Sequence, residues 1–306
     1  MIRTKSGAAG LSIASNSLLI ALKLAAGAIT GSIAIITEAL HSGIDLMASV
    51  VALVSVRKAD EPPDPEHPYG HERVENLAAA IEGMLILVGA GVIVYEATRR
   101  LVAGSEVGDL GVGIAVIAFS ALANTGVALF LRNRARELGS PALAGDAAHL
   151  GTDALTSLGV LVGLALVEIT GEPAFDAIAA LCVAAAIVFA GIRILTRSSR
   201  VLVDEAPGPE ELDRIETAIA AERGDHPEIV GYHKLRARRS GVRRLVDLHV
   251  QFRSGTTLER AHELAHHIRG RIEAALPRGS EVLIHVEPEG SFHEPEKMAG
   301  DPGRAG

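Results

Sequence analysis

Two short motifs combine a histidine and an aspartate at the same spacing within apolar stretches of the chain. The motifs are HSGID, with His41 and Asp45, and HLGTD, with His149 and Asp153. On a helix, residues four apart lie on one face, about one turn from each other. Two such helices that face each other would offer two imidazoles and two carboxylates, a ligand set that suits a tetrahedral divalent metal such as Zn²⁺.

The apolar surroundings of these motifs strengthen a functional interpretation. Ionisable groups at membrane depth are energetically costly, and by default they mark an ion or proton path. A hydrogen bond between packed helices would explain one such pair as well as a metal does, but it accounts poorly for two identical pairs. The repeat therefore predicts a metal site inside the membrane.

A second group lies in the stretch DPEHPYGH, which contains Asp64, His67 and His71. Two histidines four residues apart, with a carboxylate three residues upstream of the first, can chelate a metal. The prolines and the glycine indicate a loop, so we expect these ligands at the membrane surface. Surface histidines and aspartates are also common without a metal, and the motif alone leaves both interpretations open.

The C-terminal part of the chain contains a third group, and its members are His233, His249, His262, His285 and Glu287. Residues two apart on a strand point to the same face, so the last two share a face of the predicted third strand. His233 and His249 lie on the predicted hairpin and can meet His285 and Glu287 across it. This pattern predicts a metal-binding group on a sheet surface.

Composition places these groups in a polytopic membrane protein. Of 306 residues, 48% are hydrophobic and only 22% are charged, which is too apolar for a soluble chain of this length. The net charge of −8 argues against nucleic acid as a partner. The one cysteine, Cys182, lies in an apolar run and excludes an internal disulfide and a thiolate cluster, and we expect it to be a small packed hydrophobic residue.

Residues 1–200 are predicted to form a transmembrane domain of six helices. The predicted spans are Leu11–Thr30, Ser32–Val56, Leu77–Tyr95, Leu110–Leu131, Ala142–Val167 and Ala174–Ile194. We expect the polar residues Asn16, Lys23 and Glu82 to face the bundle interior. Arginines and lysines concentrate in the loops on one side, so the positive-inside rule predicts that both termini are cytoplasmic.

Residues 201–290 are predicted to form a soluble cytoplasmic domain that binds metal and has a regulatory role. The predicted elements are a helix over Glu210–Arg223, strands over Ile229–Arg238 and Val242–Arg253, a helix over Thr257–Leu276 and a strand over Glu281–Glu287. The order αββαβ indicates a small two-layer α/β domain. Residues 291–306 are polar, and we expect a disordered tail.

From about residue 8 to residue 288, the chain resembles the cation diffusion facilitators, the family of zinc and related metal exporters. The resemblance rests on HSGID, on DPEHPYGHERVE and on HLGTD, and less specifically on GYHKLRAR, VDLHV, ERAHEL and LIHVEP. It implies a ferredoxin-like cytoplasmic domain and a homodimer that exports divalent cations in exchange for protons. It does not imply an enzyme.

The resemblance also implies a role for each group of residues. It implies a transport site at His41, Asp45, His149 and Asp153, and a loop site at Asp64, His67 and His71. It implies a regulatory site that joins the two cytoplasmic domains at His233, His249, His285 and Glu287, with His262 as a further candidate. It also implies that Arg73 and Asp204 pair at the hinge between the two domains. Some bacterial members have aspartate where His41 stands, and others have aspartate where Glu287 stands.

We therefore expect a multi-pass protein of the bacterial inner membrane that exchanges Zn²⁺ for protons, with zinc as both cargo and regulator. Two carboxylates neutralise a bound dication, and two protonated imidazoles restore neutrality once the metal leaves, so exchange for about two protons avoids net buried charge. The alternatives are an exporter that prefers Fe²⁺, Co²⁺, Cd²⁺ or Mn²⁺, an intramembrane metalloenzyme with Asp146 as its base, and a membrane-anchored metal sensor.

Overall fold

The architecture comes from a computed structural model, which describes residues 4–30, 33–103, 111–172 and 174–291. The chain divides between Asp204 and Glu205 into two compact units. We call them the N-terminal unit and the C-terminal unit. Residues 292–306, which contain most of the predicted disordered tail, lie outside the described residues.

The N-terminal unit contains six long helices across the described ranges. They are α1 (Lys5–Thr30), α2 (Ile33–Ala59), α3 (Arg73–Ala103), α4 (Gly111–Leu138), α5 (Pro141–Thr170) and α6 (Ala174–Leu202). Counted over the described residues, four stretches are long and apolar enough to cross a membrane, namely Lys5–Ala26, Arg73–Val102, Pro141–Thr170 and Ala174–Leu202. The helices α2 and α4 coincide with the second and fourth predicted spans. The predicted fold of apolar helices followed by a small α/β unit is confirmed.

The ends of α5 show how the sequence starts and stops a helix. Ser140 is the N-cap, and its hydroxyl accepts a hydrogen bond from the backbone N–H of Leu143 at 3.3 Å. Pro141 occupies the first turn, where its missing N–H costs nothing. Gly171 ends the helix in the left-handed conformation at φ 74°, which a residue with a side chain rarely adopts. This helix carries the second histidine–aspartate motif.

The N-terminal unit differs from a soluble protein in its apolar outer surface and in the polar residues that it buries. Leu122, Phe189 and Val88 are exposed on the outside of the helices, as expected of a surface that faces lipid. Asn16, Lys23 and Glu82 are buried, which confirms the prediction that they face the interior. The expectation for Cys182 is wrong, because its side chain is exposed on α6.

The C-terminal unit consists of two helices and a three-stranded sheet. Its elements are α7 (Pro209–Asp225), β1 (Ile229–Ser240), β2 (Arg243–Phe252), α8 (Leu258–Ala275) and β3 (Glu281–Pro288). The strand order is β1-β2-β3, with β1 antiparallel and β3 parallel to β2. Both helices pack on one face of the sheet, where Ile219 of α7 and Ile268 of α8 share a core with Leu248 of β2.

The sheet has two register shifts between β1 and β2 that were not predicted, and one of them lies beside a candidate metal ligand. The register of β1 against β2 shifts between His233 and Arg236, and Lys234 lies there at φ 53°. A bulge of this kind redirects the side chains beside it. It follows directly after a histidine of the third predicted group.

Candidate metal centres

The first candidate centre lies between α2 and α5, where the two histidine–aspartate motifs meet. His149 Nε2 lies 3.2 Å from Asp45 Oδ1 and 4.0 Å from Asp153 Oδ2. One ligand atom from each residue lies within 4.8 Å of the others. The side chains of Asp45 and His149 are 7% and 8% exposed. His41 lies one turn before Asp45 on α2, but its side chain lies outside the described part of the structure.

A chain of hydrogen bonds holds α2 against α1 and α5 beside this centre. Ser49 Oγ donates to Asp146 Oδ1 of α5 at 2.9 Å. Asn16 of α1 donates to Ser49 Oγ at 2.9 Å and to the backbone oxygen of Asp45 at 3.5 Å. The Ser12 hydroxyl lies 2.9 Å from that of Ser49. Because Ser49 follows Asp45 by one helical turn, this network positions the Asp45 carboxylate relative to His149.

Sequence reasoning missed Ser49 and Ser12. Serine is frequent in membrane helices, so neither residue stands out by type. The one available signal was spacing, since Ser49 lies four residues after Asp45 and Asp146 lies three before His149. Asp146, which the metalloenzyme alternative assigned as a base, is fully buried and accepts the Ser49 hydrogen bond. This contact gives Asp146 a role in holding the helices together.

The second candidate centre is the loop between α2 and α3. Asp64 Oδ2 lies 3.2 Å from His71 Nε2, and Asp64 Oδ1 lies 3.4 Å from His67 Nδ1. The left-handed backbone of Gly70, at φ 86°, lets the chain reverse so that His71 returns to Asp64. His71 is buried, its Nδ1 has no hydrogen-bond partner within the described residues, and its Nε2 lies beside Asp64 without the geometry of a hydrogen bond. Buried nitrogens without a partner fit a metal ligand.

Local hydrogen bonds keep the loop carboxylate ionised. The backbone N–H of His67 donates to Asp64 Oδ1 at 2.6 Å, and that of Glu66 donates to the same oxygen at 3.0 Å. The first of these is the largest cause that lowers the pKa of the Asp64 carboxyl below its ordinary value. Asp64 therefore presents a carboxylate to the two imidazoles at any pH near neutrality.

The third candidate centre lies on the sheet face opposite α7 and α8. His233, His249 and His285 stand side by side at directly paired positions of β1, β2 and β3. His233 Nε2 lies 2.8 Å from Glu287 Oε2, and His249 Nδ1 lies 2.6 Å from Glu287 Oε1. Two imidazoles and a carboxylate within 4.8 Å of one another are a donor set that suits zinc.

Electrostatics and exposure differ among the members of this third group. Burial raises the pKa of the Glu287 carboxyl, but hydrogen bonds with His233 and His249 outweigh burial and lower that pKa below its ordinary value. His285 is 64% exposed and lies 3.6 Å from Glu287. His262 lies on α8, where its ring centroid is 4.5 Å from that of His266. The structure does not include His262 in the group around Glu287.

The two residues of the expected hinge pair are in contact. The guanidinium of Arg73, the first residue of α3, donates to the carboxylate of Asp204. Asp204 follows α6 and has a left-handed backbone at φ 63°, which aspartate tolerates better than most residues. The pair therefore ties the end of α6 to the start of α3 within the N-terminal unit.

Comparison with known proteins gives matches over both units. Residues 10–203 match the family described as the cation efflux transmembrane domain, and residues 207–289 match the cation efflux protein cytoplasmic domain. The uncharacterized transporter sll1263 of Synechocystis is 33% identical over 278 residues, which cover 91% of this chain and 88% of that protein. The cation-efflux pump FieF of Klebsiella pneumoniae is 31% identical over 286 residues, which cover 94% and 93%.

A solved structure also matches part of the chain. The metal-bound C-terminal domain of the CzcD transporter from Thermotoga maritima is 28% identical, and the match covers 28% of this chain and all of that chain, with a TM-score of 0.25.

Proposed function

Because the chain belongs to the cation diffusion facilitator family, we propose that it exports Zn²⁺ from the cytoplasm in exchange for protons. Its membership of this family establishes that it is a membrane-bound efflux transporter of divalent metal cations, and not an enzyme. The proposal adds the metal, the counter-ion and the residues that carry them. The observation that supports it most directly is the buried group of Asp45, His149 and Asp153.

We assign the transported ion to this group together with His41. Imidazole nitrogen and carboxylate oxygen in equal number suit Zn²⁺ better than Mn²⁺ or Mg²⁺, which prefer an all-oxygen shell. Fe²⁺, Co²⁺ and Cd²⁺ are the competing cargoes that such a set would also bind. Competition between these ions in a flux assay measures the preference.

Proton exchange follows from the charge of the site. The two carboxylates compensate a bound dication, and with the metal gone two imidazolium ions compensate the same carboxylates. Either state avoids a net charge among residues that are largely buried, and a net charge there would be costly. Protons and metal also compete for the same imidazole nitrogens, so metal affinity falls as the pH falls. A pH gradient can therefore drive transport of the metal.

In this proposal the protein is a homodimer, and its C-terminal unit contains a regulatory zinc site. The family description of residues 207–289 as a cytoplasmic domain supports placing this unit and both termini in the cytoplasm of a bacterial cell. His233, His249 and Glu287 would hold the regulatory ion. The exposed His285 beside them would be a further ligand. Arg73 and Asp204 would act as the hinge pair at the boundary between the two units.

Zinc flux in proteoliposomes tests the proposal. We expect purified protein to move zinc when a pH gradient is imposed and to move protons in the opposite direction. Asp45→Ala and Asp153→Ala should abolish flux, since each removes one oxygen ligand and half of the countercharge. Glu168→Ala is the matched control, because Glu168 is an exposed carboxylate on the same helix as Asp153. Parental zinc flux in either aspartate variant would refute the assignment, and zinc flux without proton movement would refute antiport.

A further inference from the structure

A fourth group of metal-ligating side chains lies on the helical side of the C-terminal unit. Glu222 and His226 are one turn apart at the end of α7, and His267 lies on α8. One ligand atom from each lies within 4.8 Å of the others. None of the three belongs to the centres described above, and the motifs in the sequence did not indicate them.

The carboxylate of Glu222 has one oxygen committed and one available. Its side chain is only 4% exposed. Oε1 lies 2.5 Å from Arg271 Nε, whereas Oε2 is buried and has no hydrogen-bond partner within the described residues. His226 Nε2 lies 3.4 Å from that oxygen. A buried carboxylate oxygen without a donor is costly, and its position beside an imidazole nitrogen fits a metal ligand.

The two imidazoles approach the same point without stacking on each other. Their ring centroids are 6.1 Å apart, and the planes are inclined by 57°. His226 is partly buried and His267 is exposed, so the group opens to solvent on one side. An ion from solution can therefore reach it, and a fourth coordination position remains for water.

The surrounding charges also favour a dication. Arg271 lies between two carboxylates, because its Nη2 donates to Asp225 Oδ2 at 3.1 Å while its Nε contacts Glu222. Arg260 is paired with Glu228 at 3.2 Å and with Glu263 at 2.7 Å. Four carboxylates and two guanidiniums leave two net negative charges when the imidazoles are neutral. A divalent cation would neutralise them.

We propose that Glu222, His226 and His267 form an additional binding site for Zn²⁺ or a similar borderline divalent cation. Two imidazoles and one carboxylate, with one position open, are a recurrent three-ligand zinc set. The site would link the end of α7 to α8, on the face of the sheet opposite His249 and Glu287. It is separate from the conducting site and does not depend on whether the protein exchanges protons.

Histidine modification by diethyl pyrocarbonate, read by peptide mass spectrometry, tests this on the full chain in detergent. We expect zinc to protect His226 and His267 over the same concentration range. His266 is an internal control, because it lies beside His267, is exposed and is not part of the group. Modification of both histidines at saturating zinc to the extent seen with a chelator would overturn the proposal.

Metal counting with variants provides an independent test. His267→Ala should lose about one bound zinc per chain in equilibrium dialysis, whereas His266→Ala should keep the parental number. His267 is exposed, so its truncation leaves the core of the unit intact. Glu222→Gln, which keeps the shape of the side chain, should weaken zinc protection of His226 by at least about tenfold. An unchanged zinc count in His267→Ala would overturn the site, and neither readout depends on transport.

Discussion

At the residue scale, Ser49 links the first candidate centre to three helices. Its hydroxyl donates to Asp146 and accepts from Asn16, and all three side chains are buried. Ser49→Ala should therefore remove the buried contacts of this hydroxyl with Asp146, Asn16 and Ser12, at a cost of about 1–3 kcal/mol. We expect a lower melting temperature in detergent and reduced zinc flux. Ser17→Ala is the control, since Ser17 is exposed on α1. Equal melting temperatures for the two variants would contradict this role.

Glu211 makes a residue-scale prediction that depends on pH. Its two carboxylate oxygens accept from Arg244 Nε at 2.8 Å and Nη2 at 2.7 Å, which joins α7 to β2. The hydrogen bonding from Arg244 is the largest cause that lowers the pKa of Glu211 below its ordinary value. A lowered folded-state pKa means that the stabilisation is complete above the pKa of the unfolded chain. It is lost as the pH falls through the lowered pKa.

Glu211→Gln should accordingly destabilise the C-terminal unit by about 1–2 kcal/mol at pH 7, after a discount for partial exposure. The loss should vanish in acid, below the lowered pKa. Hydrogen exchange of the β2 amides in the full chain measures it, with variant and parent compared at each pH. Glu210→Gln, on an exposed neighbour, is the control. A difference from the parent that persists unchanged in acid would show that the ion pair is not its source.

At the element scale, close packing of α3 against α6 depends on glycine. A Cβ on Gly83 would lie 3.0 Å from the backbone nitrogen of Leu195 and 3.3 Å from the carbonyl oxygen of Gly191. These are backbone atoms, so α6 would have to move as a whole. Gly83→Ala should cost about 1–3 kcal/mol, the usual range for overpacking.

Gly89→Ala is the matched control on the same helix, because a Cβ there meets nothing within 4 Å. Alanine is a better helix former than glycine, so this variant should match or slightly exceed the parent in stability. Thermal melts followed by circular dichroism in detergent compare the two. Equal melting temperatures for Gly83→Ala and Gly89→Ala would show that α3 and α6 do not need the glycine.

Hydropathy predicted the helices better than it predicted their ends or their contacts. The third span was predicted as Leu77–Tyr95, whereas α3 runs from Arg73 to Ala103. The apolar part of a helix marks only the portion in lipid, and the polar turns beyond it carry no hydropathy signal. The bulge at Lys234 was also missed, because a lysine in the sequence does not indicate a positive φ.

Pairwise spacing predicted ligand groups within one element, but not those that tertiary packing creates. Asp45 and His149 each belong to a motif of two residues four apart, and this repetition indicated that the motifs meet. Glu222 and His226 have the same spacing, but their third partner, His267, is on another helix and within a histidine-rich stretch. Without the packing of α7 on α8, no pattern in the chain distinguishes it from His266.

At the scale of the whole molecule, the metal centres differ in how they meet solvent. The group around His149 is largely buried in the N-terminal unit, which is consistent with the transport site that we propose there. The group around Glu287 is partly exposed on a sheet face that α7 and α8 leave uncovered. In the dimer that we propose, an ion there would be open to a ligand from a second chain. Loss of one centre should therefore leave the other functional.

Zinc should strengthen the dimer of the full chain through the sheet-face centre. An ion that binds the dimer and not the monomer shifts the equilibrium by mass action, by about 2.7 kcal/mol when zinc is 100 times its dissociation constant. That corresponds to an approximately hundredfold lower dimer dissociation constant, measurable by fluorescence energy transfer between labelled chains on dilution in micelles.

His249→Ala combined with His285→Ala should abolish the zinc response and reduce flux only partly. Asp45→Ala should do the reverse, losing flux while keeping the response. If zinc leaves the dimer dissociation constant of the parental protein unchanged, these histidines are ordinary surface residues. If both variants lose flux and the zinc response together, the two centres are not independent.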